Sequence, residues 1–289
     1  MNNCLSIIVL VRNEEIHISR CLNDIFDLNC DVFVVDSSSD DATKEIVQEY
    51  KHKCHYYNFD ADTFGEKLNW AIDNLPIKSK WTMRLDADEI LTPEFKENIF
   101  PELNKLAGNV GGIYINRRHH FMGRWIKYGG MHPKKALRIW RTDGARCETK
   151  LLDEQMICDN AETVKINLDI IDDNLNNLTM WIAKHNNYSN REAISNDGMN
   201  KIESNFFGSQ PERLRWLKTN IYEKTPLFLG PFAYFIYRYF FRLGFLDGKE
   251  GLIWHFLHAL WYRFLVDAKK YEMSVTNAKY KSDFKNIYK

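Results

Sequence analysis

Asp86 and Asp88, in the run Asp86-Ala87-Asp88-Glu89, follow directly on an apolar stretch, Trp81–Leu85, that has the pattern of a buried strand. Two carboxylates two residues apart at a strand end can hold a hard divalent cation through oxygen and still leave positions open for phosphates. Held there, such a cation neutralises charge on a departing diphosphate. An acidic surface turn would have the same short pattern, so neighbouring residues have to decide between the two.

Three further groups belong to the same rim. Asp36 ends a second apolar run, Val32–Val35, where its carboxylate suits a base, a ribose or a helix cap. Val11-Arg12-Asn13-Glu14 ends the first run, Leu5–Val11, and adds more polar groups. Lys67 and Asn69 open a helix and face either phosphate, base or solvent. A phosphatase of the haloacid type also carries two aspartates after a strand, but that chemistry wants Thr or Val where this chain has Ile90.

The elements that position these groups alternate. Strands are expected at Leu5–Val11, Val32–Val35, His55–Phe59 and Trp81–Leu85, with helices at Glu14–Phe26, Ala42–Tyr50 and Phe64–Leu75. Such alternation predicts an α/β, Rossmann-like fold with a doubly wound, mainly parallel sheet, whose ligands sit at the carboxyl ends of its strands. After Pro101 the rhythm changes: a strand at Gly112–Asn116, mixed loop and strand to Arg141, late strands at Glu162–Ile171 and a helix at Asn174–Glu192. Gly208–Glu212 is the expected boundary, giving domains 1–210 and 211–289.

Composition narrows the function classes. The chain has 289 residues, with 39 Lys+Arg against 39 Asp+Glu, so no overall field draws it to nucleic acid. Its six cysteines show no metal-ligand spacing and read as reduced cytosolic thiols. The first apolar run meets Arg12, Glu14 and Glu15 without a basic region before it, which does not read as a signal peptide. From Gly112 to Arg141 there are eight Lys or Arg and no Asp or Glu. Arg117, Arg124, Lys127 and Arg138 are the candidates there for acceptor or phosphate, with a solvated basic face as the plainer reading. Gly123, Gly129 and Gly130 would allow close backbone approach. Neighbouring His119 and His120 would point to opposite faces of a strand, which argues against a shared metal ion.

The successive segments Val11-Arg12-Asn13-Glu14, Asp36-Ser37-Ser38-Ser39-Asp40-Asp41-Ala42-Thr43, Lys67-Leu68-Asn69-Trp70-Ala71 and Leu85-Asp86-Ala87-Asp88-Glu89 resemble, in order and spacing, the motifs of family 2 glycosyltransferases. The resemblance implies a GT-A fold, inverting transfer from a nucleotide-sugar, and Mg²⁺ or Mn²⁺ at the paired aspartates. It implies that Asp36 and Glu14 hold the nucleoside, with Val11, Asn13, Lys67, Asn69 and Ala87 completing the donor site. Asp88 then carries most of the metal contact, and Asp86 lies toward ribose, donor sugar and metal. Many members have Arg just before the Asn of the third motif; this chain has Leu68, which shifts the cation to Lys67. Inverting transfer needs a base for the acceptor hydroxyl. In Leu151-Leu152-Asp153-Glu154-Gln155 the family position falls on Glu154, with Asp153 second. The stretch Phe121–Arg141 resembles the acceptor region of bacterial lipopolysaccharide-core and surface-polysaccharide enzymes.

Among 18 Phe, 8 Trp and 14 Tyr, 15 rings lie between Phe228 and Tyr271. Arg238 and Arg242 interrupt the first apolar stretch there, and His255, His258 and Arg263 the second, so neither reads as a spanning helix. Aromatic bodies beside basic groups, followed by a Lys-rich tail, predict a helical, peripheral membrane-associating region on the inner face of the cytoplasmic membrane. A subdomain with its aromatics packed inward, or a dimer interface, is the plainer alternative. The expected partners are a nucleotide-sugar donor (UDP-sugar, since the Asp36 motif suits uracil), a lipid-linked glycan acceptor and the membrane surface. A catalytically silent, membrane-bound nucleotide-sugar scaffold is the competing class.

Overall fold

The computed structural model describes residues 4–148, 154–158, 161–195, 216, 220, 225–276 and 278–279. Asp153 and the anticipated boundary at 208–212 lie outside the described residues. Two compact units result: residues 1–125 with 132–176, and residues 126–131 with 177–287.

The first unit is built on a nine-stranded sheet. Its first half runs β1 (Leu5–Val11), α1 (Ile18–Ile25), β2 (Asp31–Asp36), α2 (Thr43–Glu49), β3 (His55–Asn58), α3 (Phe64–Asn74) and β4 (Trp81–Asp86). Strands β3, β2, β1 and β4 lie side by side and parallel. Alternate residues of β1 face two cores. Leu5, Ile7 and Val9 pack with α1 and with Val32 and Val34 of β2, while Ile8 and Leu10 pack with Phe33, Val35 and Leu68 of α3. Buried apolar side chains on both faces are what a doubly covered parallel sheet requires. They also explain why Leu5–Val11 is an unbroken Ile/Val/Leu run apart from Ser6.

The second half departs from strict parallel winding. It contains β5 (Glu89–Leu91), α4 (Pro93–Lys105), β6 (Val110–Phe121), β7 (Arg124–Ile126), β8 (Lys134–Arg141) and β11 (Glu162–Asp173). The sheet order is β3-β2-β1-β4-β8-β6-β11-β5, with β7 on β6. Strand β8 is antiparallel to both neighbours, β5 is antiparallel to β11, and β6 and β11 are parallel. Only Ala87-Asp88 separates β4 from β5, yet β8, β6 and β11 lie between them in the sheet. A three-residue step spans about 10 Å at most, so the sheet must curl until its far edge meets the end of β4. The paired aspartates close that curl.

A ribbon of β9 (Ala145–Cys147) and β10 (Met156–Cys158) stands apart from the main sheet. Helix formation after β11 begins at Leu178 and not at Asn174, because Asn177 accepts the Met180 N–H as a cap and Asn174 is used elsewhere.

The second unit holds α5 (Leu178–Ser195), α6 (Leu229–Ile236), α7 (Gly248–His255) and α8 (Tyr262–Thr276). Tyr237–Phe241 and Phe256–Trp261 are π-helical turns continuing α6 and α7. Residues 126–131 are gripped by this unit. Tyr128 N–H donates to Asp247 Oδ2 at 2.8 Å, Gly129 N–H to the Arg242 carbonyl at 2.9 Å, and Arg238 Nε to the Gly129 carbonyl at 2.8 Å. Gly129 is required here for packing against the chain itself, since a Cβ would lie 2.1 Å from the His255 ring. Arg238, expected on a basic outer face, is 5% exposed and serves this loop instead. Burial, then Arg238, pushes the His255 imidazole down to about 3. Lys269 on α8 is likewise buried among Asn186, Ser189 and Asn190 of α5, and burial lowers its pKa to about 8. Among the described residues no helix is long and apolar enough to cross a membrane.

Candidate active site

The loops after β1 and β2 are stapled to each other. Asn13, at φ 54°, donates from its backbone to Ser39 Oγ and from Nδ2 to Asp40 Oδ1, while its Oδ1 accepts the Asp40 N–H. Glu14 N–H donates to Thr43 Oγ1 at 2.8 Å. The left-handed backbone at Asn13 is one that Asn tolerates well. Asp36 is 1% exposed. Its Oδ1 accepts from the backbone and hydroxyl of Ser39, and its Oδ2 accepts from the Tyr56 hydroxyl at 2.9 Å. Burial, then the Asp36 carboxylate, raises the Tyr56 hydroxyl pKa.

Lys67 brings α3 to this rim. Its Nζ donates to the Val11 carbonyl, and the side chain is 6% exposed. Burial lowers its pKa to about 8, against the pull of Asp36 and Glu14. Two residues on, Asn69 is spent on the ribbon: Nδ2 donates to the Cys147 carbonyl and Oδ1 accepts the Cys147 N–H, both at 2.9 Å. Half-buried Glu154, just before β10, is therefore carried on a ribbon pinned to the helix that also carries Lys67.

At the end of β4 the electrostatics invert the expectation for the basic run. Arg138 of β8 is 1% exposed, with Nη2 3.1 Å from Asp86 Oδ2 and hydrogen-bonded to Glu89 Oε1. Arg84, on the same face of β4 as Asp86, adds a second contact at 3.1 Å. Burial opposes the Asp86 charge, but Arg138 and Arg84 outweigh it and hold the carboxyl well below the usual range. Burial, with Asp86 adding to it and Arg138 opposing, pushes Glu89 up to about 8. Arg138 is thus an internal counterion, not a surface group for acceptor or phosphate. Arg117 lies 3.3 Å from Asp172 of β11 and 3.8 Å from Glu89. Arg118 pairs with Asp169 at 2.6 Å. Parallel pairing of β6 with β11 accordingly neutralises cations whose partners are remote in sequence. Arg124 and Lys127 remain on exposed positions.

Asp88 is half-buried on the β4–β5 turn, and its Oδ2 accepts from Asn174 Nδ2 at 2.9 Å. Ala87 between the aspartates is 2% exposed and fixes the turn in the core. Among the described residues no group of three or more His, Cys, Asp or Glu forms a ready-made metal cage. Asp88, held by a neutral amide, still fits a divalent cation that takes one or two carboxylates and completes its shell with phosphates and water. Asp86, shared between two guanidiniums, is the weaker of the two.

The sheet order, the strand-end rim and the paired aspartates define an α/β protein whose motif carboxylates stand at the carboxyl ends of its strands. Residues 6–156 match the model of glycosyl transferase family 2, and the chain belongs to that family. It is 25% identical over 146 residues to the lipopolysaccharide core biosynthesis glycosyltransferase LpsC of Rhizobium meliloti (strain 1021), a match covering 49% of this chain and 52% of the relative. The chain thus spans about half the length of that curated relative. The mannosyltransferase PcManGT of Pyrobaculum calidifontis, solved in complex with GDP-Man and Mn²⁺, superposes with TM-score 0.50 at 14% identity, over 92% of this chain and 86% of that one. Residues 1–349 of S. aureus TarS give 0.48 at 14% identity over 96% and 93%. The fold is GT-A, the sheet arrangement that this chain shares with the PcManGT structure.

Proposed function

We propose that the protein is an inverting, metal-dependent glycosyltransferase that moves a hexose from a UDP-sugar to a lipid-linked glycan acceptor of lipopolysaccharide or surface polysaccharide. The observation that carries this reading is the convergence of Asn13, Glu14, Asp36 and Lys67 on one rim, in a sheet whose β4 end presents Asp86 and Asp88. Asp36 and Glu14, with Val11 and Asn13, hold the nucleoside; Lys67 faces the diphosphate. Asp88, with Asp86 behind it, holds Mg²⁺ or Mn²⁺, which supplies charge neutralisation to the departing diphosphate. Glu154, with Asp153 second, takes the acceptor hydroxyl proton as the oxygen attacks the anomeric carbon and the nucleoside diphosphate leaves from the opposite face. LpsC supports the pathway, and the PcManGT complex supports a nucleotide-sugar with a cation.

The helical unit docks on the cytoplasmic face of the membrane as a peripheral element. Phe232, Phe240, Phe241, Leu243, Phe245 and Phe256 are each more than 40% exposed, and apolar groups left outside in this number mark a binding surface. Transfer is assigned to residues 1–210 and docking to residues 211–289, although by packing α5 belongs with the helical unit. Nucleoside diphosphate release, measured with a panel of donors and membrane extract with and without Mn²⁺, tests the reading. Release is expected with a UDP-hexose, extract and Mn²⁺ together. Asp88→Ala and Glu154→Ala variants as active as wild type would overturn the mechanism.

A further inference from the structure

We infer that His17 and Asn174 are positioning residues for the donor, acting through the segment Asp173–Asn176 where β11 leaves the sheet. This rests on the reading of Glu14 and Asp88 as donor and cation groups, and adds to it two residues outside the four motifs.

His17 is fully buried one turn after Glu14. Its Nε2 accepts the Leu175 N–H at 2.9 Å, so that nitrogen carries no proton. The proton of the neutral ring therefore sits on Nδ1, which lies 2.6 Å from Glu14 Oε2 and donates to it. Three residues along the same helix, Arg20 donates to the Asp173 carboxylate at 2.7 Å and to the Asp173 carbonyl, and it reaches the Asp88 carbonyl at 3.4 Å. Asp173 N–H donates to that same Asp88 carbonyl at 3.0 Å. Asn174 completes the arrangement: its Nδ2 donates to Asp88 Oδ2, and its Oδ1 accepts the Asn176 N–H at 3.0 Å, which fixes the amide orientation.

Four consecutive residues thus fix both carboxylates, Asp88 directly and Glu14 through one imidazole. A simple staple of α1 to β11 would need only Arg20 and Asp173. The two remaining contacts end on the carboxylate oxygens themselves, and so set rotamers that donor binding would otherwise have to order. Their loss should weaken the donor complex more than it slows the bound complex.

The test uses the full chain with UDP and Mg²⁺ or Mn²⁺ as probes, titrated calorimetrically, with thermal midpoints recorded on the same samples. His17→Phe and Asn174→Ala should each weaken UDP binding about tenfold and raise the donor KM more than they lower kcat. His17→Gln, which keeps one donor and one acceptor, should recover part of the loss. Wild-type affinity in both variants, with or without a lowered thermal midpoint, would reduce the segment to a staple and overturn the inference. Glu14→Gln and Asp88→Asn separate the two levels: if they too leave UDP binding unchanged, the donor reading itself fails. Should the variants not fold, the wild type still decides. Imidazole ¹⁵N spectra should show His17 protonated on Nδ1 and shifted by saturating UDP·Mg²⁺; the other tautomer, or an unmoved signal, would reject the role.

Discussion

Both units bury charged groups, Asp36, Lys67, Glu89 and Arg138 among them in the sheet unit, but they differ in the rings they leave outside. In the sheet unit, Val, Ile and Leu fill the interior, and most of the motif carboxylates gather at the strand ends. In the helical unit Arg238, Lys269, His255 and Asp247 are buried, while Phe240 and Phe241 stand 54% and 75% exposed. Water rewards the first arrangement. In the second, Arg238, Lys269 and Asp247 each bond backbone or side chain, while the His255 ring is packed against Gly129 and Gly244. The lesson is that one chain builds a carboxylate-bearing rim at its strand ends and, in the other unit, an exterior of exposed aromatic rings.

The sharpest way to break this contrast lies in the sheet unit. Asp88→Ala should lower nucleoside diphosphate release by about 10²–10³-fold, the order of a lost transition-state electrostatic contact, with little change in thermal midpoint. Next in size, Arg138→Leu should cost about 3–5 kcal/mol in urea denaturation, because buried Glu89 loses its nearest cation and Asp86 keeps only Arg84. An unchanged midpoint would mean that Arg138 is not their counterion. On the other side, Phe240→Ser with Phe241→Ser should reduce sedimentation with anionic liposomes about tenfold or more, since each ring contributes about 1.5–3 kcal/mol on burial, yet leave donor turnover in solution intact. Retained liposome binding would remove the apolar exterior from the comparison.

The smallest effect is a slope. Lys67, lowered from 10.5 to about 8 by burial, binds fewer protons folded than unfolded through that window. Its contribution to stability is therefore present above about 10.5 and lost as pH falls through about 8. Lys67→Met should flatten the rise in stability between pH 8 and 10.5 relative to wild type, as read by chemical denaturation at several pH values.

Much of the sheet was legible because apolar runs bounded by polar turns encode parallel strands, and β1, β2 and β4 fall within a residue of expectation. The same pattern concealed β6, which continues through Arg117–His120 to Phe121. Those cations read as a loop face until Asp169 and Asp172 of β11 arrive beside them, and such partners cannot be seen in a local window. Asn69 is expected at the donor site and Arg138 at acceptor or phosphate, but sequence could not say that their partners are the Cys147 backbone and the carboxylates of Asp86 and Glu89. Gly129 carried a true signal of close approach, to His255 rather than to a ligand. His17 left a weaker trace, a polar residue on the inner face of an amphipathic helix.

The curl that joins β4 to β5 has a consequence for the order of synthesis. Strand β5 follows the paired aspartates at once, but its partner is β11, where Glu89 lies opposite Asp172. As the chain leaves the ribosome, β1 to β4 can assemble while Asp88 still has no framework. Its surroundings close only after Asp173 and Asn174 have emerged, with every intervening strand already made. A nascent chain stalled before β11 would carry all four sequence motifs and yet lack the contacts from Asp173 and Asn174 that frame Asp88.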